Sequence, residues 1–273
     1  MSIKTHTKTL QVRIKDRHAA QLRQMARSVN FVWNYVNELS SRSIRERGVF
    51  LSNYDIHKYV NGAGKELGLH SQTVQGVADE YVVRRKQFKL ARLRWRKSNG
   101  VSRSLGWIPY KAGAAQWLNG QVRYNGHFFK VWDSYGLSQY KFRAGSFSED
   151  ARGRWYFNVV VDAPVAGHAG TGAVGIDLGC KEAAVTSDGE KLVGRQYRAL
   201  EEALVTAQRA RNKNRVQAIH AKIKNRRKDE QHKFTTRLVQ NNALIVVGNV
   251  SSSKLVKTKM AKSVLDAGWS QMK

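Results

Sequence analysis

The feature that most limits what this chain can become begins at Gly172, where the apolar pattern alternates between strand and helix. Residues 173–178 read as a strand, residues 183–186 as a second, and Ser187-Asp188-Gly189 as a hairpin turn leading to a returning strand at 191–193. Helical spacing follows through Leu200, Leu204, Val216, Ile219, Ile223, Phe234 and Leu238. Residues 243–247 are an uninterrupted apolar run, the pattern of a buried strand, and a last helix is expected from about Thr258 with no evident cap at its end. Within the first strand, Val174-Gly175-Ile176-Asp177-Leu178-Gly179 places a single carboxylate among apolar residues with glycines on both sides.

The rest of the chain divides by the same reasoning. Residues 8–14 alternate, with Leu10, Val12 and Ile14 on one face, as a short strand does. From Asp16, a plausible N-cap, Leu22, Met25, Val29, Val32 or Trp33, and Val36 recur at helical spacing up to a stop at Gly48. A second helical region follows Ser52-Asn53, breaks at Gly62, Gly64 and Gly68, and restarts at Ser71. Its stripe of Val74, Val77, Tyr81 and Phe88 is expected to run on into the basic residues Arg84, Arg85, Lys86, Lys89, Arg92, Arg94, Arg96 and Lys97. Between 101 and 163, glycines punctuate short aromatic and β-branched runs at 121–124, 127–132, 139–142 and 155–162, the signature of a small antiparallel sheet or barrel. The strand at 8–14 can join that sheet, making the helices an insertion. Residues 164–171, small and rich in Gly and Ala, read as a linker.

Charge narrows the partners. Lys and Arg number 48 against 20 Asp and Glu, a net +28, and such a field attracts polyanions. An anionic membrane is the weaker choice: no apolar run approaches spanning length, and Met1-Ser2-Ile3-Lys4 has no signal-peptide core. Arginines beside seven Trp, ten Tyr and nine Phe suit phosphate forks and base stacking. The stretch 84–97 carries no acid, and a second basic face runs through Arg211, Lys213, Arg215, Lys222, Lys224, Arg226, Arg227 and Lys228. From these, Arg84, Arg85, Lys86, Lys89 and Arg92 and the whole second set are the candidate nucleic-acid contacts; a plain solvated surface is the alternative. Cys180 stands alone, so no internal disulfide forms and a reducing, cytoplasmic setting is expected. No Cys/His spacing suits zinc, and none is expected in this chain.

The order strand, hairpin, strand, helix, buried strand is how an RNase H-like sheet begins, and in that fold an Asp on the first central strand binds a divalent metal. Phosphodiester hydrolysis favours a metal pair, and Mg²⁺ takes carboxylate oxygens. Asp177 is therefore the candidate catalytic residue and metal ligand, although an Asp at a strand end can also make only a local turn bond. Residues 174–189 (VGIDLGCKEAAVTSDG) resemble the first catalytic motif of the TnpB (OrfB) family of transposon-encoded proteins. Residues 221–250 (AKIKNRRKDEQHKFTTRLVQNNALIVVGNV) resemble that family's basic helix and second motif.

The resemblance implies a transposase-family, guide-RNA-binding, RNA-directed DNA endonuclease related to type V CRISPR effectors, in a prokaryotic cytoplasm and associated with the nucleoid. It implies an α+β multidomain architecture: a β-rich, wedge-like domain of residues 1–15 and 101–165, a helical, recognition-like insertion at 16–100, and a partial RuvC-type domain at 172–273. Two departures accompany it. Gly248, followed by Asn249, stands where family members typically carry a metal-binding Glu, some relatives placing that Glu on a later strand that this chain would not reach, and the sequence ends at Lys273 before the expected zinc ribbon and third motif. Asp188 reads as a turn residue, Asp229 and Glu230 as helix-surface charges, and Glu182 and Asp266 are unassigned. The expectation is a C-terminally truncated chain without nuclease activity of its own. A nuclease-dead RNA-guided repressor and a general RNA-binding protein are the alternatives.

Overall fold

The structure, a computed structural model, describes residues 5–165, 170–195 and 197–272. The chain forms two compact units, Met1–Val165 and Ala166–Lys273. Part of the expected linker, residues 166–169, lies outside the described residues, as do the N-terminal residues 1–4.

The first unit opens with β1 (Thr5–Ile14), whose alternation buries Leu10, Val12 and Ile14. Asp16 does not cap the helix that follows; it sits in a short 3-10 turn and pairs with Arg13 at 2.7 Å. Helix α1 (Ala19–Arg47) buries its stripe from Leu22 to Val36 and stops at Gly48, whose left-handed backbone (φ 66°) lets its N–H reach back to Ile44. Helix α2 (Asn53–Val60) begins with a capping box between Ser52 and Asp55, an arrangement that contributes about 1 kcal/mol. A one-turn α3 (Ala63–Leu67) leads to α4 (Ser71–Phe88). Contrary to the expectation from composition, α4 does not carry the basic run to Lys97. Lys89 turns left-handed (φ 52°), and no helix or strand follows until β2 (Trp107–Tyr110).

The strands β3 (Ala115–Leu118), β4 (Gln121–Tyr124) and β5 (His127–Phe129) form a small antiparallel sheet. The strands β6 (Val131–Trp132), β7 (Phe142–Glu149) and β8 (Trp155–Pro164) complete a five-stranded sheet in the order β2-β7-β8-β1-β6. β1 pairs with β8 from Thr5 to Arg13, so the helices are inserted between two strands of one sheet. Residues 139–142, expected as a strand, instead lead out of a 3-10 turn into β7. Helices and sheet share one core rather than two. Phe147 packs against Tyr110, Tyr124, Phe129 and Phe157 with ring centroids 5.0–5.7 Å apart. The Thr73 hydroxyl of α4 ties the layers by donating to the Pro109 carbonyl at 2.7 Å.

In the second unit, β9 (Gly172–Asp177), β10 (Glu182–Thr186) and β11 (Lys191–Val193) form an antiparallel meander, its tight turn closed by Gly189 (φ 90°). Helix α5 (Glu201–Arg209) is separated from α6 (Lys213–Asn241) by Arg211 in a left-handed conformation and by Asn212, whose side chain caps Arg215. Strand β12 (Asn242–Val247) then pairs parallel with β9, giving the order β11-β10-β9-β12. Its apolar run is not buried as expected: β12 ends the sheet, and Leu244 and Val246 are each 58% exposed. Phe234 and Leu238 of α6 pack on Val174, Ala184 and Leu192. After α7 (Ser252–Leu255), α8 (Ala261–Ala267) is closed by Gly268 (φ 65°), so the last helix does have a C-cap. Trp269 anchors it by donating to the carbonyl of Ala183 at 3.0 Å.

Candidate metal position and nucleic-acid interface

Asp177 is the last residue of β9, exposed, with β10 on one side and β12 on the other. The pairing is what presents it. Ile176 lies opposite Val247, so the residue after β12, Gly248, falls beside Asp177, and its N–H donates to the Ile176 carbonyl at 2.9 Å. A β-carbon on Gly248 would stand 3.9 Å from Oδ1 of Asp177. Position 248 is therefore where a second carboxylate would face the first, and a hydrogen atom occupies it.

Several other acids of this unit are engaged elsewhere. Glu182 pairs with Lys191 at 3.5 Å, Asp229 with Lys233 at 2.8 Å, and Glu190 with Arg237. Asp266, unassigned from sequence, is buried and accepts the Tyr197 N–H at 2.9 and 3.1 Å, a structural role. Among the described residues no group of three His, Cys, Asp or Glu side chains is placed to hold a metal ion. One exposed carboxylate beside a glycine does not fit a metal pair.

The basic candidates differ in their surroundings. Arg211, Lys213, Arg215, Lys222, Lys224, Arg226 and Lys228 are exposed on or just before α6, and no ion pair joins them to an acid among the described residues. Arg227 differs, donating to the Leu265 carbonyl at 2.8 Å and so fastening α8 to α6. Arg84, Lys86, Lys89 and Arg92 are exposed near the end of α4, with Arg84 held by Glu80 at 2.6 Å. Arg85 is the correction: it is 3% exposed and donates to Ser40 at 2.6 Å and to the Leu51 carbonyl at 2.7 Å. Burial lowers its pKa from the ordinary arginine value. It joins α4 to α1 and to the chain before α2, and it is not a phosphate ligand.

A feature that no local pattern announced lies after α4. Residues 93–98 belong to no helix or strand, and a row of asparagines on α1 pins them as a neighbouring strand would. Asn37 accepts from the Leu93 N–H at 3.0 Å and donates to its carbonyl at 2.8 Å; Asn34 does the same for Arg96 at 2.8 and 2.9 Å. Asn30 accepts from the Arg96 side chain at 2.6 Å, and Trp33 donates to the Arg94 carbonyl at 3.2 Å. The only sequence signal was polar residues interrupting the apolar stripe of a helix.

Residues 156–259 match the OrfB_IS605 family model, described as "Probable transposase". Two curated proteins named "Putative RNA-guided DNA endonuclease" are similar. One, from Streptomyces pristinaespiralis, is 30% identical over 141 residues, covering 46% of this chain and 35% of the relative. The other, InsQ of Escherichia coli strain K12, is 26% identical over 152 residues, covering 44% of this chain and 38% of the relative. The matched part of the chain thus spans less than two fifths of either relative. A solved structure titled as a Cas12f1-sgRNA-target DNA complex aligns over 98% of this chain and 81% of that chain, with a TM-score of 0.35 and 13% identity. The sheet with Asp177 at its strand end and the basic α6 fall within the family match, so it is this segment that is similar to the OrfB_IS605 family.

Proposed function

We propose that the chain is a guide-RNA- and DNA-binding protein of the TnpB type, whose second unit has the strand order of an RNase H-like, RuvC-type domain. The observation that carries this reading is the sheet order β11-β10-β9-β12 with Asp177 at the end of β9, inside the family match. The names of the curated relatives support RNA-guided action on DNA. In such recognition base pairing reads the sequence while the protein grips the backbone, a task suited to the exposed cations of α6.

Mg²⁺ is the ion that a carboxylate site of this class takes, and Asp177 is one donor for it. With Gly248 as its neighbour the site lacks its second carboxylate, so no cleavage step is assigned, and the 273-residue chain binds without cutting. Gly248 thereby favours a nuclease-dead, RNA-guided binder over an active endonuclease.

Sequencing the RNA that co-purifies with the chain tests the reading. RNA derived from sequence flanking the chain's own gene is expected, and bulk ribosomal RNA would overturn it. Mg²⁺-dependent cleavage of guide-matched DNA, abolished by Asp177→Ala, would overturn the inactivity.

A further inference from the structure

The pinned segment after α4 edges a groove of about 940 Å³, lined by Trp33, Phe88, Leu90, Leu93 and Trp95 among apolar residues and by no acid. Its aromatic walls remain in water: Phe88 is 58% and Trp95 40% exposed. Its rim is cationic. Arg94 and Lys97 are exposed and have no ion pair among the described residues, and the Arg92 guanidinium lies 5.0 Å from the Trp95 ring centre.

We propose that this groove holds an unpaired nucleotide, its base stacked on Trp95 and its phosphate met by Arg94 and Lys97. The proposal rests on the nucleic-acid-binding part of the function given above and adds a site for single strands. The argument is one of charge and preorganisation. An apolar wall with an unopposed cationic rim matches a ligand that is flat and apolar on one side and anionic on the other, as a nucleotide is. Because Asn37 and Asn34 fix the backbone at Leu93 and Arg96, with Asn30 holding the Arg96 and Ser98 side chains, little freedom is lost when the outward side chains engage. Duplex bases, already stacked, offer no face to Trp95, so the site selects unpaired strands.

The test is fluorescence anisotropy with labelled oligothymidylate, oligouridylate and an abasic oligomer of equal length, using the full chain. Trp95→Ala is expected to weaken binding of at least one base-bearing polymer about fivefold to a hundredfold and to leave the abasic oligomer unchanged. Trp95→Phe keeps an aromatic face and is expected to stay within about threefold of wild type. Loss on oligouridylate alone assigns the groove to RNA and loss on oligothymidylate alone to DNA; either supports stacking. Equal affinity of wild type and Trp95→Ala on both polymers, with wild type binding well, overturns this site and leaves the proposed function standing. Equal loss on the abasic oligomer also overturns it and leaves the groove to an acidic or apolar peptide. If wild type binds none of the three, the proposed function fails with it.

Discussion

Gly248 and Asp177 face one another across the parallel pair β9 and β12, with 3.9 Å between the place of a β-carbon on the first and Oδ1 of the second. Among the described residues, the other neighbour of that β-carbon is the Ile176 carbonyl oxygen at 3.4 Å, an ordinary contact, and Gly248 is not among the glycines with positive φ. A side chain fits there without backbone strain.

Gly248→Glu is accordingly expected to create a two-carboxylate site. Mn²⁺ binding, read by calorimetry or by loss of the free-ion spin-resonance signal, should tighten by about tenfold or more over wild type. Adding Asp177→Ala to that variant should remove the gain. Indistinguishable affinities for the single and double variants would show that the two positions do not share an ion.

Glu149, with its side chain fully buried, holds Arg103 through a fork of 2.6 and 2.9 Å, Arg23 at 3.4 Å and the Gly106 N–H at 3.0 Å. Burial alone would raise its pKa, but these donors outweigh burial and hold it below the ordinary 4.5. A lowered carboxylate pKa contributes stability that is present above the unfolded value and is lost as pH falls through the folded one. The chain should therefore lose stability as pH drops below about 4.5, and Glu149→Gln should flatten that dependence. Because both arginines are partly exposed, the variant should cost about 2–3 kcal/mol at neutral pH in a urea titration.

Asn37→Ala removes both bonds to Leu93 and the acceptor of the Tyr81 hydroxyl at 3.2 Å. Two buried backbone groups left without partners cost about 2–4 kcal/mol in total. Limited proteolysis should then cut within residues 89–106 much earlier than in wild type. A variant as resistant as wild type would mean that the asparagine does not hold this segment.

Arg85→Gln and the combination Lys222→Gln, Lys224→Gln, Arg226→Gln should separate structure from binding. The first should lower the melting temperature and leave the salt dependence of nucleic-acid affinity unchanged, since Arg85 bonds only within the protein. The second should melt as wild type does and reduce the slope of log affinity against log salt by up to about one for each phosphate that no longer meets a cation. The reverse pattern would return Arg85 to the interface.

Where the chain's local pattern and its packing agree, the sequence is a good guide. β4 and β11 fall at the expected residues, because alternation and turn glycines leave one way to bury Val122 and Leu192. β2 gave no strand signal because Pro109 interrupts it, and Pro109 is tolerated because β2 is an edge strand paired only with β7. The stop at Lys89 was hidden for a different reason. Nothing in a run of Lys and Arg opposes helix, and the chain beyond Lys89 is held instead by asparagines fifty to sixty residues earlier. The apolar run in β12 reports on hydropathy and not on neighbours, so it could not reveal that the strand ends its sheet. At the site, Asp177 and Gly248 could both be singled out from the sequence; that they stand side by side required the register of β12.

The asparagine row has a consequence for how this surface can change. A loop held by its own side chains must keep those side chains, so its sequence and its shape vary together. Here most of the holding is done from α1 and acts on backbone atoms, which every residue but proline possesses in full. Positions 92, 94, 95 and 97 are thus a keyboard on a fixed frame: what they touch can be rewritten one residue at a time while the frame stays in tune.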